Sequence, residues 1–266
     1  MEQQRYQLAD LLAIMQKLRD PEQGCPWDKK QSFASIVPYT LEEAYEVADS
    51  IERQDMSALK GELGDLLFQV VFYSQMASEQ RLFNFADVVD GVSEKLVRRH
   101  PHVFGEAQFA DTRAVNANWE AEKAKERLQK DASASSVLDD IPLAMPAMSR
   151  ANKIQKRCAA VGFDWDALPP VVDKVHEEIA EVLHEVAQEP RDEAKVAEEL
   201  GDLLFATINL VRHLKKDPEQ VLRLANQKFE RRFRQVEAQI SANGHSLRDV
   251  SLDEMEQVWQ RVKQSE

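Results

Sequence analysis

Apolar side chains recur at spacings of three and four residues along most of the chain, and no stretch keeps the strict alternation that is typical of a half-buried strand. The densest stretch is residues 62–73, where leucine, valine, phenylalanine and tyrosine point in nearly every direction around a helix. We therefore expect this helix to be buried all round, with a single polar stripe formed by Glu62, Asp65 and Gln69. The pattern predicts an all-α protein.

One short pattern in the chain is repeated. The seven residues ELGDLLF occur at 62–68 and again at 199–205. Three further pairs of matching segments occur in both halves, and all four pairs stand in the same order. They are GCPWD with GFDWD, LEEAYEV with HEEIAEV, and KLVRR with KFERR. Chance does not preserve order and approximate spacing together, so two tandem helical domains are predicted. We place them at residues 1–130 and 146–266, joined by a serine- and proline-containing linker at residues 131–145.

Each copy is predicted to contain an N-terminal helix, an irregular turn around a Trp-Asp pair, a helix with the EExxE pattern and the ELGDLLF helix. A further helix then carries a basic cluster. Pro38 precedes the first EExxE pattern, and Pro169 and Pro170 precede the second. We expect each EExxE helix to begin at or just after its prolines, because proline is tolerated in the first turn. Asp217 and Pro218 predict another helix start.

Each copy also carries four carboxylates that helical spacing can bring together. In the second copy, Glu178 and Glu181 lie one turn apart on one helix, and Glu199 and Asp202 lie one turn apart on the next. Ionised carboxylates on a buried helix are costly unless something compensates them, and a hard cation with oxygen ligands does so. We interpret the four as a magnesium site. The matching residues of the first copy are Glu43, Glu46, Glu62 and Asp65.

Other interpretations of these carboxylates stay open. The carboxylates would belong to ordinary solvated helix faces if their helices lay at the surface. The presence of both the ExxE and the ExxD pair in each copy argues against this. Glu181 and His184 form the ExxH pattern of di-iron bundles, but the first copy has Asp49 in place of the histidine. Gly64 and Gly201 each cost about 1 kcal/mol relative to alanine inside a helix, which favours close helix approach or ligand access.

A basic cluster lies near the end of each copy. Lys228, Arg231 and Arg232 share one helix face in the second copy. An ion-pair face is the simplest explanation. Beside a metal site, however, the same cluster can hold a triphosphate, because guanidinium groups bind phosphate oxygens bidentately. Lys195 lies one turn before Glu199 and adds a cation to that side of the helix.

Net charge and hydropathy exclude several classes of protein. The formal net charge of −13 argues against a protein that binds duplex nucleic acid, which needs excess lysine and arginine. The chain shows no charged-then-apolar leader and no apolar run of about 18 residues. We therefore expect a cytoplasmic protein without membrane partners.

The EExxE pattern, followed one helix later by ExxD in an acidic helical chain with GCPWD and RRHPHVF, resembles the MazG family of the all-α NTP pyrophosphatase superfamily. The resemblance covers almost the whole chain as a tandem pair. It implies a homodimer that uses Mg²⁺, with Mn²⁺ as a substitute, to cleave many nucleoside triphosphates to monophosphate and pyrophosphate, cleaning the nucleotide pool. By motif position it implies metal binding by Glu178, Glu181, Glu199 and Asp202, phosphate contacts from Lys174, Lys195, Lys228, Arg231 and Arg232, and a base contact from Trp259.

The two copies are not equivalent. The first has no counterpart of Lys195 in register, since Lys60 lies two residues before Glu62 on another helix face. Pro101 also ends the basic helix of the first copy earlier than in the second. We expect the second copy to be the main catalytic domain and the first to be degenerate or structural.

Two questions about the chemistry remain open at the level of sequence. Either Glu178 or Glu181 is the general base that activates the water attacking the α-phosphorus. A narrower enzyme of the same superfamily is one alternative. A non-catalytic acidic helical module that binds a metal or a protein partner is the other.

Overall fold

The computed structural model describes residues 5–130 and 136–265. The chain divides into two compact units, with the boundary after Lys125. The described ranges contain α-helices, one 3₁₀ turn and loops but no strand, so the all-α fold is confirmed. None of the described helices is long and apolar enough to cross a membrane. Part of the linker at 131–145 falls outside the described ranges, and the domain limits stay a prediction.

The first unit is built on a pair of long helices, α3 (Phe33–Glu52) and α4 (Met56–Glu79), which pack along each other. Two further helices, α1 (Leu8–Leu18) and α5 (Phe85–Arg99), pack against α4. The remaining helices are α2 (Pro26–Lys30), α6 (Pro101–Phe104) and α7 (Thr112–Lys130), the last of which continues across the unit boundary. The side chains at the centre are Met15, Ile36, Val71, Phe72 and Met76.

Pro38 lies inside α3, so the expectation that this helix begins at or after the proline is wrong. The helix begins at Phe33, and Ser32 caps it by accepting a hydrogen bond from the Ser35 N–H at 3.2 Å. Phe33 packs against the core and Ile36 is buried in it. Burying such side chains stabilises by about 1.5–3 kcal/mol each, which offsets the backbone hydrogen bond lost at Pro38.

The expectation that the ELGDLLF helix is buried all round is also wrong. On α4, Leu63 is 50% exposed, and Leu67 and Val70 are exposed as well. The physical reason is that the helices packed on α4, namely α1, α3 and α5, leave these side chains uncovered. The repeat behaves in the same way, because Leu200 and Leu204 are exposed on the matching helix of the second unit. Each unit therefore presents an apolar strip on its ELGDLLF helix.

The second unit repeats the long helix pair with α9 (Leu168–Val186) and α10 (Glu193–His213). A preceding helix, α8 (Ala147–Ala159), packs against α10 and α11 (Pro218–Ala242). A 3₁₀ turn at Leu247–Asp249 leads into α12 (Leu252–Gln264). Buried side chains join α11 to α12, namely Val236, Ile240, Val258 and Val262. The unit thus has the helix order that the repeat predicts, with α11 as the helix of the basic cluster and α12 after it.

Two predicted helix starts in the second unit are confirmed. Pro169 and Pro170 lie in the first turn of α9, where their missing N–H groups have no intrahelical partner to lose. Asp217 caps α11 by accepting a hydrogen bond from the Gln220 N–H at 2.9 Å, and Pro218 is the first residue of that helix. In the EExxE helix of this unit the prolines therefore stand at the helix start, whereas Pro38 stands inside the corresponding helix of the first unit.

An ion-pair network ties the loop before α9 to the end of α10. Asp164 accepts a hydrogen bond from a terminal nitrogen of Arg212 at 2.9 Å and contacts His213 Nε2 at 2.9 Å. The side chains of Asp164 and Arg212 are 26% and 11% exposed. The hydrogen bond from Arg212 lowers the pKa of Asp164 from 3.8 to about 2, despite the opposing effect of partial burial. The ionised form of Asp164 therefore stabilises the folded unit.

Asp164→Asn is expected to destabilise the second unit by about 1–3 kcal/mol, because Arg212 loses its charged partner. The pKa of Asp164 is lower in the folded state than in the unfolded state. Its contribution is therefore complete above the unfolded value of 3.8 and is lost as the pH falls through about 2. Urea unfolding should show a difference from wild type at about pH 7 that shrinks by about half at about pH 3.

Asp166→Asn is the matched control for this prediction. Asp166 lies in the same loop and is exposed, and it forms no ion pair within the described part of the chain. Its substitution should leave the urea midpoint close to that of wild type. Equal midpoints for the two variants at about pH 7 would show that the Asp164 network does not hold the loop.

Candidate active site

Three of the four carboxylates predicted in the second unit come together between α9 and α10. Carboxylate oxygens of Glu178, Glu199 and Asp202 all lie within 4.8 Å of one another. Glu199 and Asp202 are one turn apart on α10, and Glu178 faces them from α9. The fourth residue, Glu181, lies one turn further along α9, is exposed and is not part of this close group. We call Glu178, Glu199 and Asp202 the carboxylate group of the second unit.

Lys174 partly compensates the charge of this group. Glu178 is only 4% exposed, and its carboxylate lies 2.7 Å from Lys174 Nζ. The same ammonium donates a hydrogen bond to Glu177 at 2.8 Å. The hydrogen bond to Glu177 has the largest effect and the contact with Glu178 adds to it, and together they raise the pKa of Lys174 above its ordinary value. Desolvation by neighbouring atoms and then repulsion by Glu178 raise the pKa of Glu181, against the attraction of Lys174.

The first unit contains a corresponding group. Oxygens of Glu43, Glu62 and Asp65 lie within 4.8 Å of one another, and Glu46 stands outside this close group as its counterpart does in the second unit. Desolvation raises the pKa of Glu43, and repulsion by Asp65 and Glu46 adds to the effect. Three acidic groups are therefore held together here at an electrostatic cost.

The two groups differ in the cations beside them. Lys174 stands one turn before the buried glutamate of α9, and Tyr39 occupies the matching position of α3. Lys195 stands one turn before Glu199 on α10, and Ala58 occupies the matching position of α4. The second unit thus places two lysines near its carboxylates where the first unit has none at the same positions. This asymmetry favours the second unit for binding phosphates.

The donor set of both groups fits a hard divalent cation. All the ligand atoms are carboxylate oxygens, which are the ligands that Mg²⁺ and Mn²⁺ prefer in proteins. Desolvation and repulsion by the neighbouring carboxylates raise the pKa of Glu43, and such a cation would relieve that repulsion. His184, the residue that suggested a di-iron site, contacts Gln188 through Nε2 at 3.1 Å and belongs to neither group in the described chain.

The two glycines of the ELGDLLF helices have open space beside them. A Cβ atom built at Gly64 or Gly201 would meet nothing within 4 Å in the described structure. Close packing inside a unit therefore does not explain why glycine stands there. Both positions are open to a ligand or to another molecule.

A cavity of about 600 Å³ opens beside the carboxylate group of the second unit. Its walls come from α8, the loop at residues 162–165, α9 and α10, and Lys174, Glu178 and Asp202 are among its lining residues. The apolar part of the lining includes Phe163, Trp165, Val171, Phe205 and Ala206. The sequence pattern does not reveal this cavity, because its residues come from four separate elements. The repeated Trp-Asp turn was the one available signal.

The remaining predicted residues lie elsewhere in the second unit. Lys228, Arg231 and Arg232 share one face of α11. Trp259 of α12 packs against the α11–α12 core, with its ring centroid 5.1 Å from that of Phe229. None of these four predicted residues lines the cavity, and among the predicted cations of the described chain Lys174 alone does so.

Comparison with known proteins relates this geometry to a family. The chain matches the model of the MazG nucleotide pyrophosphohydrolase domain twice, at residues 31–104 and 171–237. Each matched segment contains one complete carboxylate group. The duplication predicted from the ELGDLLF repeat therefore corresponds to two copies of one known domain.

Several curated proteins are similar to the chain. The nucleoside triphosphate pyrophosphohydrolase of Escherichia coli K12 is 58% identical over 260 residues, which is 98% of either chain. The nucleoside triphosphate pyrophosphohydrolase/pyrophosphatase MazG of Thermotoga maritima is 41% identical over 96% of this chain and 94% of its own. A Mycobacterium tuberculosis nucleoside triphosphate pyrophosphohydrolase is 35% identical over 65% of this chain and 51% of its own. With both units matched by the family model and two relatives aligned along nearly its whole length, the chain belongs to the MazG nucleotide pyrophosphohydrolase family.

Proposed function

We propose that the protein is a Mg²⁺-dependent nucleoside triphosphate pyrophosphohydrolase that converts an NTP and water into NMP and pyrophosphate. The observation that carries this proposal is the carboxylate group of the second unit, which stands beside Lys174 and a ligand-sized cavity. The family match and the printed names of the E. coli and T. maritima relatives support the same reaction. We further propose broad substrate specificity and a role in cleaning the cytoplasmic nucleotide pool.

In this proposal Glu178, Glu199 and Asp202 hold Mg²⁺, for which Mn²⁺ can substitute. Glu181 adds a further carboxylate for the metal at the edge of the group. The bound ion supplies charge neutralisation on the phosphate oxygens and on the departing pyrophosphate. The equivalent first-unit residues form a second, degenerate site. They are Glu43, Glu46, Glu62 and Asp65.

The cations of the second unit bind the phosphates. Lys174 lies at the cavity beside Glu178 and can bind a phosphate oxygen there. Lys195 extends this positive side along α10. The basic face of α11, made of Lys228, Arg231 and Arg232, binds the outer phosphates, because guanidinium groups match phosphate geometry. A contact between Trp259 and the base stays a prediction.

Glu181 is the better placed of the two candidate general bases. Glu178 is buried and already paired with Lys174, whereas Glu181 is exposed and stands outside the close group. A carboxylate that is less committed to other partners can accept the proton of an attacking water. That water attacks the α-phosphorus directly, the bond from this phosphorus to the bridging oxygen breaks, and pyrophosphate leaves.

The apolar strips on α4 and α10 support a homodimer. Leu204 is 65% exposed, and Leu63, Leu67 and Leu200 are exposed with it. Within each unit, neighbouring exposed leucines on one helix face are typical of protein interfaces. The open space beside Gly64 and Gly201 gives another molecule room to approach these helices. The net charge of −13 opposes nucleic acid as a partner.

Glu199→Gln is expected to lower turnover by about 100-fold or more, because it removes a charged metal ligand from the second unit. The purified protein is incubated with each common NTP and Mg²⁺, and NMP, NDP, phosphate and pyrophosphate are resolved. Wild type should release NMP and pyrophosphate in equal amounts. Circular dichroism should be unchanged in the variant.

Glu62→Gln is the matched control, since it makes the same change in the first unit. It should retain most of the wild-type turnover. An equal loss in both variants would contradict the assignment of catalysis to the second unit. NDP with phosphate would refute the assigned bond. An inactive wild type with both Mg²⁺ and Mn²⁺ would favour the non-catalytic binding module.

Leu204→Lys is expected to shift the protein from dimer to monomer, because it places a charge in the apolar strip of α10. Light scattering after size-exclusion chromatography measures this, with a chain mass of 30.4 kDa as the reference. Leu252→Lys is the control, since Leu252 is 77% exposed at the start of α12, away from that strip. A monomeric wild type would refute the homodimer.

A further inference from the structure

The second unit contains another cavity, of about 580 Å³, besides the one at the carboxylate group, which we call the active-site cavity. Asp164 and Arg212 line both cavities, whereas His213, which contacts Asp164, lines only the other one. Neither the carboxylate group nor Lys174 is among its lining residues in the described chain. The Asp164 network is therefore common to two separate cavities of one unit.

Three lysines give this other cavity its charge. Lys156 of α8 lines it together with Lys215 and Lys216, which follow α10, and we call it the lysine cavity. All three residues are exposed, and none has an ion-pair partner in the part of the chain that the structure describes. In a chain with a formal net charge of −13, positive charge that no carboxylate compensates is available for an anion.

The two aspartates of the lysine cavity already have partners. Asp164 accepts a hydrogen bond from Arg212 at 2.9 Å and contacts His213 Nε2 at 2.9 Å. Asp217 accepts a hydrogen bond from the Gln220 N–H at 2.9 Å as the cap of α11. Because both carboxylates are engaged, the lysines are left for a ligand.

The backbone of Lys215 lies in the left-handed region, with a φ of 56°. The Lys216 N–H donates a hydrogen bond to the Val211 carbonyl at 3.1 Å, so this conformation closes the end of α10. Glycine is the usual residue there, because a Cβ atom is strained at positive φ. The chain thus has a lysine on the cavity where glycine would close the helix without strain.

The first unit does not have these cations at the matching positions. Alignment of the two Trp-Asp turns places Leu18 opposite Lys156. Alignment of the two ELGDLLF helices places Met76 opposite His213, and Met76 is buried in the core of the first unit. The shared helix order therefore does not require this cluster of cations, which belongs to the second unit.

The size and charge of the lysine cavity fit a compound with several phosphate groups. An ammonium group suits a phosphate oxygen because it carries a full positive charge and three donors. Three such groups around one space match an anion whose charges are spread over separate oxygens. The cavity volume lies within the range of about 300–1,000 Å³ that is usual for small-molecule sites, which is more than a single phosphate needs.

We propose that the lysine cavity is a regulatory site for anions with two or more phosphate groups, pyrophosphate among them, and that the bound anion acts on the active-site cavity through Asp164. The choice of pyrophosphate rests on the proposed function, since the proposed reaction releases it. The three lysines are not catalytic residues, because they line neither the active-site cavity nor the carboxylate group.

The loop at residues 162–165 connects the two cavities. Asp164 anchors it to Arg212 and His213, while Phe163 and Trp165 on either side of Asp164 line the active-site cavity. An anion in the lysine cavity competes with the Asp164 carboxylate for the same cations and repels it. The loop is then held less firmly, so the active-site cavity loses part of its wall.

Lys215→Gln combined with Lys216→Gln tests the anion site, because it removes two charges from exposed side chains. Sodium pyrophosphate is titrated into the full chain without Mg²⁺ and followed by calorimetry. Wild type should bind it, and the double variant should bind about 10-fold or more weakly, since two charge-assisted contacts are lost. Lys17→Gln with Lys30→Gln makes the same change of net charge at exposed lysines of the first unit and should match wild type.

Trp165 fluorescence tests the connection between the cavities. Pyrophosphate should change the emission of wild type without Mg²⁺, and it should leave Trp165→Phe and the Lys215/Lys216 double variant unchanged. The chain has four tryptophans, so Trp165→Phe identifies the part of the signal that comes from the loop. Binding by calorimetry without any change at Trp165 would overturn the action through Asp164.

Inhibition of turnover gives a third readout. With Mg²⁺ in excess over pyrophosphate, wild type should lose about half or more of its NTP turnover even at saturating NTP. The Lys215/Lys216 double variant should have wild-type turnover without pyrophosphate and should lack this inhibition. Inhibition that excess NTP removes completely would mean that pyrophosphate acts only as a product in the active site, which would overturn the regulatory role.

The binding titration separates this proposal from the proposed function. Equal affinity of wild type and the Lys215/Lys216 double variant would overturn the anion site even if NTP is cleaved to NMP and pyrophosphate. Sulfate that binds as tightly as pyrophosphate would overturn the assignment to compounds with several phosphates. Lysine-dependent binding in a wild type that releases no pyrophosphate would overturn the reaction and keep the site.

Discussion

The crowding of three carboxylates between two packed helices is the constraint on which the rest of this structure depends. In both units a glutamate of one helix meets a glutamate and an aspartate of the next, with oxygens within 4.8 Å. Like charges at this distance repel strongly wherever water is partly excluded, and desolvation together with this repulsion raises the pKa of Glu43. Packing along the length of the helix pair must hold the groups in place against it. The stability of the core beneath the site therefore offsets the repulsion between its carboxylates.

The side chains around the carboxylates differ between the two units, although the helices follow the same order. In the second, Lys174 neutralises part of the charge and a cavity lies beside the group. In the first, Tyr39 replaces that lysine and Phe72 fills the core two turns beyond Asp65. A duplicated backbone has thus allowed one copy to keep space for a ligand while the other is packed with large side chains. Function and packing compete for the same positions.

Much of the fold and part of the site could be predicted from sequence, because helical spacing fixes where residues of one helix stand relative to each other. The pairing of Glu199 with Asp202 follows from that rule. The cavity does not, since its walls belong to α8, α9, α10 and a loop, whose relative placement depends on tertiary packing. Pro38 does not mark a helix start either, because burial of apolar side chains outweighs the local preference of proline for the first turn. Periodicity likewise did not reveal that one side of α4 is open.

The open side of α10 connects assembly to chemistry. Leu200 and Leu204 are exposed on the same helix that carries Glu199 and Asp202, within one turn of those carboxylates. An apolar partner surface that covers these leucines would also remove water from the neighbouring charges. Removing water lowers the local dielectric and strengthens every interaction between the carboxylates, a divalent cation and a triphosphate. Under the proposed dimer, association would therefore tune the electrostatics of the site, and the exposed leucines would serve catalysis as well as assembly.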